Sequence, residues 1–121
     1  MKVPKRAVGK PFNAQRRSLK QESELAKRVG GKVTRGSGRG VEKGDVRIKG
    51  LARIEAKTTS NSSFQLKKEM VAKLELSSSS SGEIPAIVIE FLNQNGKPTH
   101  ELAVIPMWAL LTLLSQANAT P

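Results

Sequence analysis

The chain of 121 residues has no cysteine and no tyrosine, and it has one histidine and one aspartate. Without cysteine there is no disulfide and no thiolate metal site, a composition that fits a reducing compartment. A single histidine, His100, beside a turn signal, argues against a zinc site or a histidine acid–base catalyst. Aromatics make up 3% of the residues, too few for a platform that stacks unpaired bases. No apolar run approaches the roughly 20 residues of a membrane span. The first residues, Met1-Lys2-Val3-Pro4-Lys5-Arg6, carry charge but no apolar core of a signal peptide, so the expected location is the cytoplasm. The glycine-rich stretch Gly36-Ser37-Gly38-Arg39-Gly40 lacks the Gly-Lys-Ser/Thr ending of a nucleotide-binding P-loop.

Acidic charge is also scarce. There are 21 Lys and Arg against 10 Asp and Glu, a net charge of +11. The imbalance is confined to one half. Residues 1–57 hold 17 basic and 5 acidic side chains, net +12, whereas residues 58–121 hold 4 and 5, net −1. A basic half of this kind implies a polyanionic partner, with nucleic acid first, because phosphate contacts dominate its binding energy. The length allows one domain, and 37% hydrophobic content allows a small core.

Residues 1–17 read as a flexible basic arm, with prolines at 4 and 11 and no acids. Residues 18–116 read as the single folded domain, and 117–121 as a frayed tail. Ser18, with Gln21 three residues on, forms a capping-box pattern that opens a helix ended by Gly30-Gly31. Strands are expected at Lys32–Arg35, Asp45–Lys49 and Ala52–Lys57. A second helix is expected from about Phe64 to Leu76, followed by a loop over the serines 77–81. Glu83–Leu92 is apolar on both faces, which marks a central, doubly covered strand. Asn95-Gly96 signals a hairpin to a fifth strand at Glu101–Ile105. Pro106 then opens a last helix over 107–116, with Trp108, Leu111 and Leu114 as its anchors. The expected fold is α/β, in the order α-β-β-β-α-β-β-α, a mixed five-stranded sheet flanked by helices.

The chemistry concentrates in Gly44-Asp45-Val46-Arg47 and Ile54-Glu55-Ala56-Lys57. Alternate residues of a strand share a face, so Glu55 and Lys57 point one way and Ala56 the other. With Asp45 on the neighbouring strand, two carboxylates and an ammonium converge. Phosphodiester hydrolysis needs a positioned water, a Lewis acid on the phosphate oxygens and neutralisation of developing charge. Asp45, Glu55 and the carbonyl of Ala56 can offer oxygens to Mg²⁺, which prefers such ligands. Lys57 can meet the attacking water or a phosphate oxygen.

This pattern resembles the PD-(D/E)XK nucleases, and in particular their Holliday-junction resolvase-like branch and small phage-encoded endonucleases. The likeness runs over roughly residues 18–105. It is carried by a helix bearing glutamate, Gly30-Gly31 and the strand after it, Gly36-Ser37-Gly38, Lys43-Gly44-Asp45-Val46 and Ile54-Glu55-Ala56-Lys57-Thr58-Thr59. It implies a restriction-endonuclease-like core, Mg²⁺ dependence with Mn²⁺ able to substitute, a homodimer, and cleavage of branched DNA in recombination. For a phage-encoded member the location is the host cytoplasm. The resemblance implies a further acid on the first helix. Glu22 matches it, with Glu24 as the competitor; two residues apart on a helix, they point in different directions. It also implies that Ser37, Arg35, Arg39 and Lys43 contact DNA, with Thr58, Arg16 and Arg17 as further DNA-binding candidates.

Two other functions fit the same composition. One is a different recombination or replication nuclease, acting as a nicking, flap or exonuclease. The other is a DNA-binding protein without catalysis. Glu90, alone in an apolar strand, reads as a buried, partnered acid or a dimer contact. The last helix is a candidate interface or a cover for its own sheet.

Overall fold

A computed structural model describes residues 14–34, 45–79 and 81–119; Ala14, Gln15, Arg16 and Asp45 are described by their backbone. Arg35, Ser37, Arg39, Lys43 and residues 1–13 of the expected basic arm lie outside the described residues. The elements are α1 (Ala14–Val29), β1 (Lys32–Thr34), β2 (Asp45–Ile48), β3 (Ala52–Thr59), α2 (Lys68–Ser79), β4 (Ile84–Leu92), β5 (Pro98–Val104) and α3 (Met107–Ala119). The five strands form one mixed sheet in the order β1-β2-β3-β4-β5. All neighbours are antiparallel except β3 and β4, which run parallel and are joined through α2. The expected α/β class, element order and mixed five-stranded sheet are therefore present.

The two sheet faces have separate cores. Leu25 and Ala26 of α1 pack with Val46, Ile54 and Val88, extended by Val29, Val33, Ala52, Ala56 and Ala86. Leu74 of α2 packs with Ile87 and Ile89, extended by Phe64, Met70, Val71, Phe91 and Val104. Alternation along β4 feeds both clusters: Val88 faces α1, while Ile87 and Ile89 face α2. The strand read as central and doubly covered is so.

Several boundaries differ from expectation, each for a local reason. The helix expected to start at Ser18 starts at Ala14. Ser18 therefore lies inside α1 and caps nothing, because a buried contact of Arg17 extends the helix N-terminally. The serine run is not wholly a loop: α2 continues through Ser79. Ser77 and Ser78 donate to the carbonyl of Leu74 at 3.0 and 2.9 Å, and Ser79 to that of Leu76 at 3.2 Å. These hydroxyls bond back one turn and so tolerate the helix. α2 starts at Lys68 rather than Phe64, and α3 reaches Ala119, past the expected start of fraying. β5 begins at Pro98, since Asn93 organises a tight turn by accepting from the backbone of Asn95 and Lys97 at 2.8 and 3.0 Å.

The end of α1 follows the Gly-Gly signal closely. Gly30 has φ of +74°, and the Gly31 N–H donates to the Ala26 carbonyl at 2.9 Å, a Schellman closure. Gly31 also lets β2 approach, because a Cβ there would lie 2.8 Å from the Arg47 carbonyl oxygen.

Candidate active site

The β2–β3 hairpin brings the sequence motif together. Asp45 and Glu55 are directly opposed in the antiparallel register, as are Arg47 and Arg53. Opposed residues share a sheet face. Val46, Ile54 and Ala56 belong to the α1 side, so Asp45, Arg47, Arg53, Glu55 and Lys57 hold the alternate positions on the other side. Lys57 Nζ lies 2.8 Å from Glu55 Oε2, and both side chains are partly open to solvent. The expected pairing of Glu55 and Lys57 on one face is present, and the backbone puts Asp45 across from Glu55.

The helix acid is placed differently. Glu22 is buried on the stripe of α1 that carries Leu25 and Ala26, against the opposite side of the sheet. Glu24 is exposed and lies 3.5 Å from Arg17. The structure therefore separates the two candidates by burial. It does not set either of them on the face of Glu55 and Lys57.

Arg17 and Thr58, candidates for DNA contact, both bond Glu90. Arg17 Nε donates to Glu90 Oε1 at 2.9 Å, and its terminal nitrogen bonds the other carboxylate oxygen. The Thr58 hydroxyl donates to Glu90 Oε1 at 3.0 Å. Hydrogen bonding to Glu90 raises the Arg17 pKa above its ordinary value, against the opposing effect of burial. Gln21 adds a further tie, its Nε2 donating to the Lys57 carbonyl at 2.9 Å. Glu90 is thus the buried, partnered acid its apolar strand suggested. Arg16, the remaining arm candidate, lies in α1.

A second charged cluster, of one acid and two arginines, has no counterpart among the sequence motifs. Glu83, just before β4, has a fully buried carboxylate. It accepts from Arg47 Nε at 2.7 Å, from the Gly50 N–H at 2.9 Å and from Arg53 Nε at 3.4 Å. Burial pushes the Glu83 pKa up, but donation from Gly50, Arg47 and Ser81 outweighs it and holds the carboxyl at about 2. The sequence carries a signal for the arginines alone: the alternation that pairs Glu55 with Lys57 also groups Arg53 with them and Arg47 with Asp45.

The donor set suits a hard cation. Two opposed carboxylate-bearing positions and a strand carbonyl could offer oxygen ligands, and Mg²⁺ needs few protein ligands because it keeps its waters and takes phosphate oxygens. Among the described residues no three Asp, Glu, His or Cys side chains converge as a complete metal cage. No protein family, curated protein or solved structure matches this chain. Among the described residues no helix is long and apolar enough to cross a membrane.

Proposed function

We propose that the protein is a Mg²⁺-dependent DNA endonuclease of the PD-(D/E)XK type, with a restriction-endonuclease-like core, that hydrolyses phosphodiester bonds in branched DNA. The observation that carries the reading is the register of β2 on β3, which opposes Asp45 to Glu55 and sets Lys57 on the same strand face. The element order and the parallel β3–β4 pair reached through a helix are in keeping with that core.

Asp45, Glu55 and the Ala56 carbonyl would hold the cation, and Glu22, buried on the α1 side of the sheet, stands outside that ligand set. Bound there, Mg²⁺ would supply Lewis-acid polarisation of the phosphate. In the reaction a water oxygen adds to phosphorus, one bridging P–O bond breaks, and the departing sugar oxygen gains a proton. Lys57 would neutralise charge building on the non-bridging oxygens, and its ion pair with Glu55 holds the ammonium in place for that role. The net charge of +12 over residues 1–57 would draw the polyanion to this half of the chain.

Two copies would place two such sites on the two strands of a junction. The surface proposed for their contact is α3. Every residue of α3 but Ala109 is exposed, including Met107, Trp108, Leu110, Leu111, Leu113 and Leu114. A helix of 13 residues is marginal in water without packing. It carries no charged residue in a chain of net +11, so it is a surface where two such cations can meet without mutual repulsion.

Cleavage of end-labelled four-way junction, linear duplex and single-stranded DNA tests the reading, with Mg²⁺ or EDTA, for wild type, Asp45→Ala and Lys57→Ala. Symmetric Mg²⁺-dependent nicks near the branch, lost in both variants, are expected. Cutting of linear or single-stranded DNA instead would keep the site and change the substrate. Tight binding without cleavage under any divalent metal would refute catalysis and leave a DNA-binding protein.

A further inference from the structure

We propose that Arg47 is a phosphate-binding residue held in place by Glu83, and that its ligand is the sugar-phosphate backbone of DNA beside the cleaved bond. The proposal rests on the nuclease reading for the identity of the polyanion. Its structural basis is separate and lies in the pair of positions next to Asp45 and Glu55.

Arg47 and Arg53 are directly opposed, one same-face step from the Asp45–Glu55 pair. That step is about 6.6 Å along the strands. A phosphodiester bound at the acids would therefore have its neighbouring phosphates within reach of a guanidinium. Two guanidinium groups share the one Glu83 carboxylate, so the Arg47–Arg53 pair is not fully neutralised by it.

The two kinds of group differ in exposure. The Glu83 side chain is 0% exposed, whereas Arg47 is 31% exposed and Arg53 16%. A ligand arriving from solvent meets the arginine and not the acid. Glu83 takes Arg47 through Nε at 2.7 Å. A guanidinium has five N–H donors in a planar fork, so capacity remains for bidentate contact with a phosphate. Glu83 also bonds the Gly50 N–H in the hairpin turn, so one carboxylate fixes the hairpin backbone and the side chain it presents. A side chain ordered before binding loses less freedom on binding.

A purely structural ion cluster would have the same hydrogen bonds, so the test must read something that stability does not move. The salt dependence of DNA binding is such a readout, because each phosphate neutralised contributes about 0.9 to the slope of log K against log salt. Binding of labelled duplex and four-way junction is measured in EDTA between roughly 50 and 200 mM salt, for full-length wild type, Arg47→Gln and Arg47→Lys. For Arg47→Gln the expected result is affinity weaker by roughly tenfold and a slope shallower by about 0.9. Arg47→Lys, which keeps the charge, should keep the wild-type slope. An unchanged slope in Arg47→Gln would overturn the proposal.

A second measurement needs no variant. Phenylglyoxal modification of the wild-type protein, mapped by peptide mass, should mark Arg47 in free protein and spare it when DNA is bound. Modification of Arg47 at the same rate with DNA present would overturn the proposal. Failure of wild type to bind DNA at all would overturn the nuclease reading together with this one. Wild-type binding with an Arg47→Gln slope equal to wild type would sink the Arg47 assignment alone.

Discussion

Replacing Glu83 by Gln keeps the size of the side chain and an acceptor for the Gly50 N–H, and removes only the charge. The cost can be worked from the environment. The carboxyl sits at about 2 in the folded protein against an ordinary value of 4.5. At about 1.4 kcal/mol per unit, that difference corresponds to about 3 kcal/mol. Arg47 keeps about a third of its side chain in water, so screening reduces this to about 2 kcal/mol. In a chain of 121 residues each kcal/mol moves Tm by about 4 °C, which predicts a fall of roughly 8 °C at pH 7.

The pH dependence has a definite sign. A folded pKa below the unfolded value means that the unfolded chain binds the extra proton as pH falls. The contribution of Glu83 is therefore complete above pH 4.5 and is lost as pH drops from 4.5 towards 2. Chemical denaturation of both proteins at several pH values should show a gap of about 2 kcal/mol at pH 7 that closes over this window. A gap under about 0.5 kcal/mol at neutral pH, or one that persists unchanged at pH 2.5, would refute the reasoning.

Four further outcomes follow from other sites. Glu90→Ala leaves Arg17 buried without its carboxylate and should cost about 3 kcal/mol, with amide exchange rising in the first turns of α1. Gly30→Val places a β-branched residue at φ of +74° and should cost 1 kcal/mol or more, read by urea unfolding. If two copies meet through α3 as proposed, Leu111→Glu with Leu114→Glu on its exposed face should give a monomer by light scattering and a Tm lowered by loss of the contact. Asp45→Asn should abolish Mg²⁺-dependent cleavage while DNA binding in EDTA stays at wild-type strength or better, because a carboxylate facing phosphate is removed.

The sequence made the sheet legible because its strands announce themselves in two independent ways. Ile54 and Glu55 alternate between an apolar and a polar face, and Asn95-Gly96 marks the hairpin that pairs β4 with β5. The chemical face was legible for the same reason, since period-two alternation alone groups Glu55 with Lys57. What stayed hidden depends on contacts distant in sequence. Glu83 meets Arg47 and Arg53 across more than 30 residues, and nothing in its neighbours marks it as buried. Ser18 has good local capping chemistry, yet α1 begins at Ala14 and Arg17 within it bonds Glu90 of β4, a contact local chemistry does not show. The serine run misled for a related reason. Serine favours loops on average, yet each hydroxyl here finds a carbonyl one turn back.

The underside of α1 is unusual in mixing Leu25 and Ala26 with Arg17, Gln21 and Glu22. Oily contacts are forgiving, because one methyl group can slide past another with little change in energy. A fork that grips a carboxylate and an amide that grips a single carbonyl work at one setting only. The apolar residues thus decide that the helix lies on the sheet, and the polar ones decide where along it and at what rotation. Swapping that polar trio for leucines would leave a helix still adhering to the sheet but free to settle in several positions, and the strand carrying Glu55 and Lys57 would lose its fixed backing.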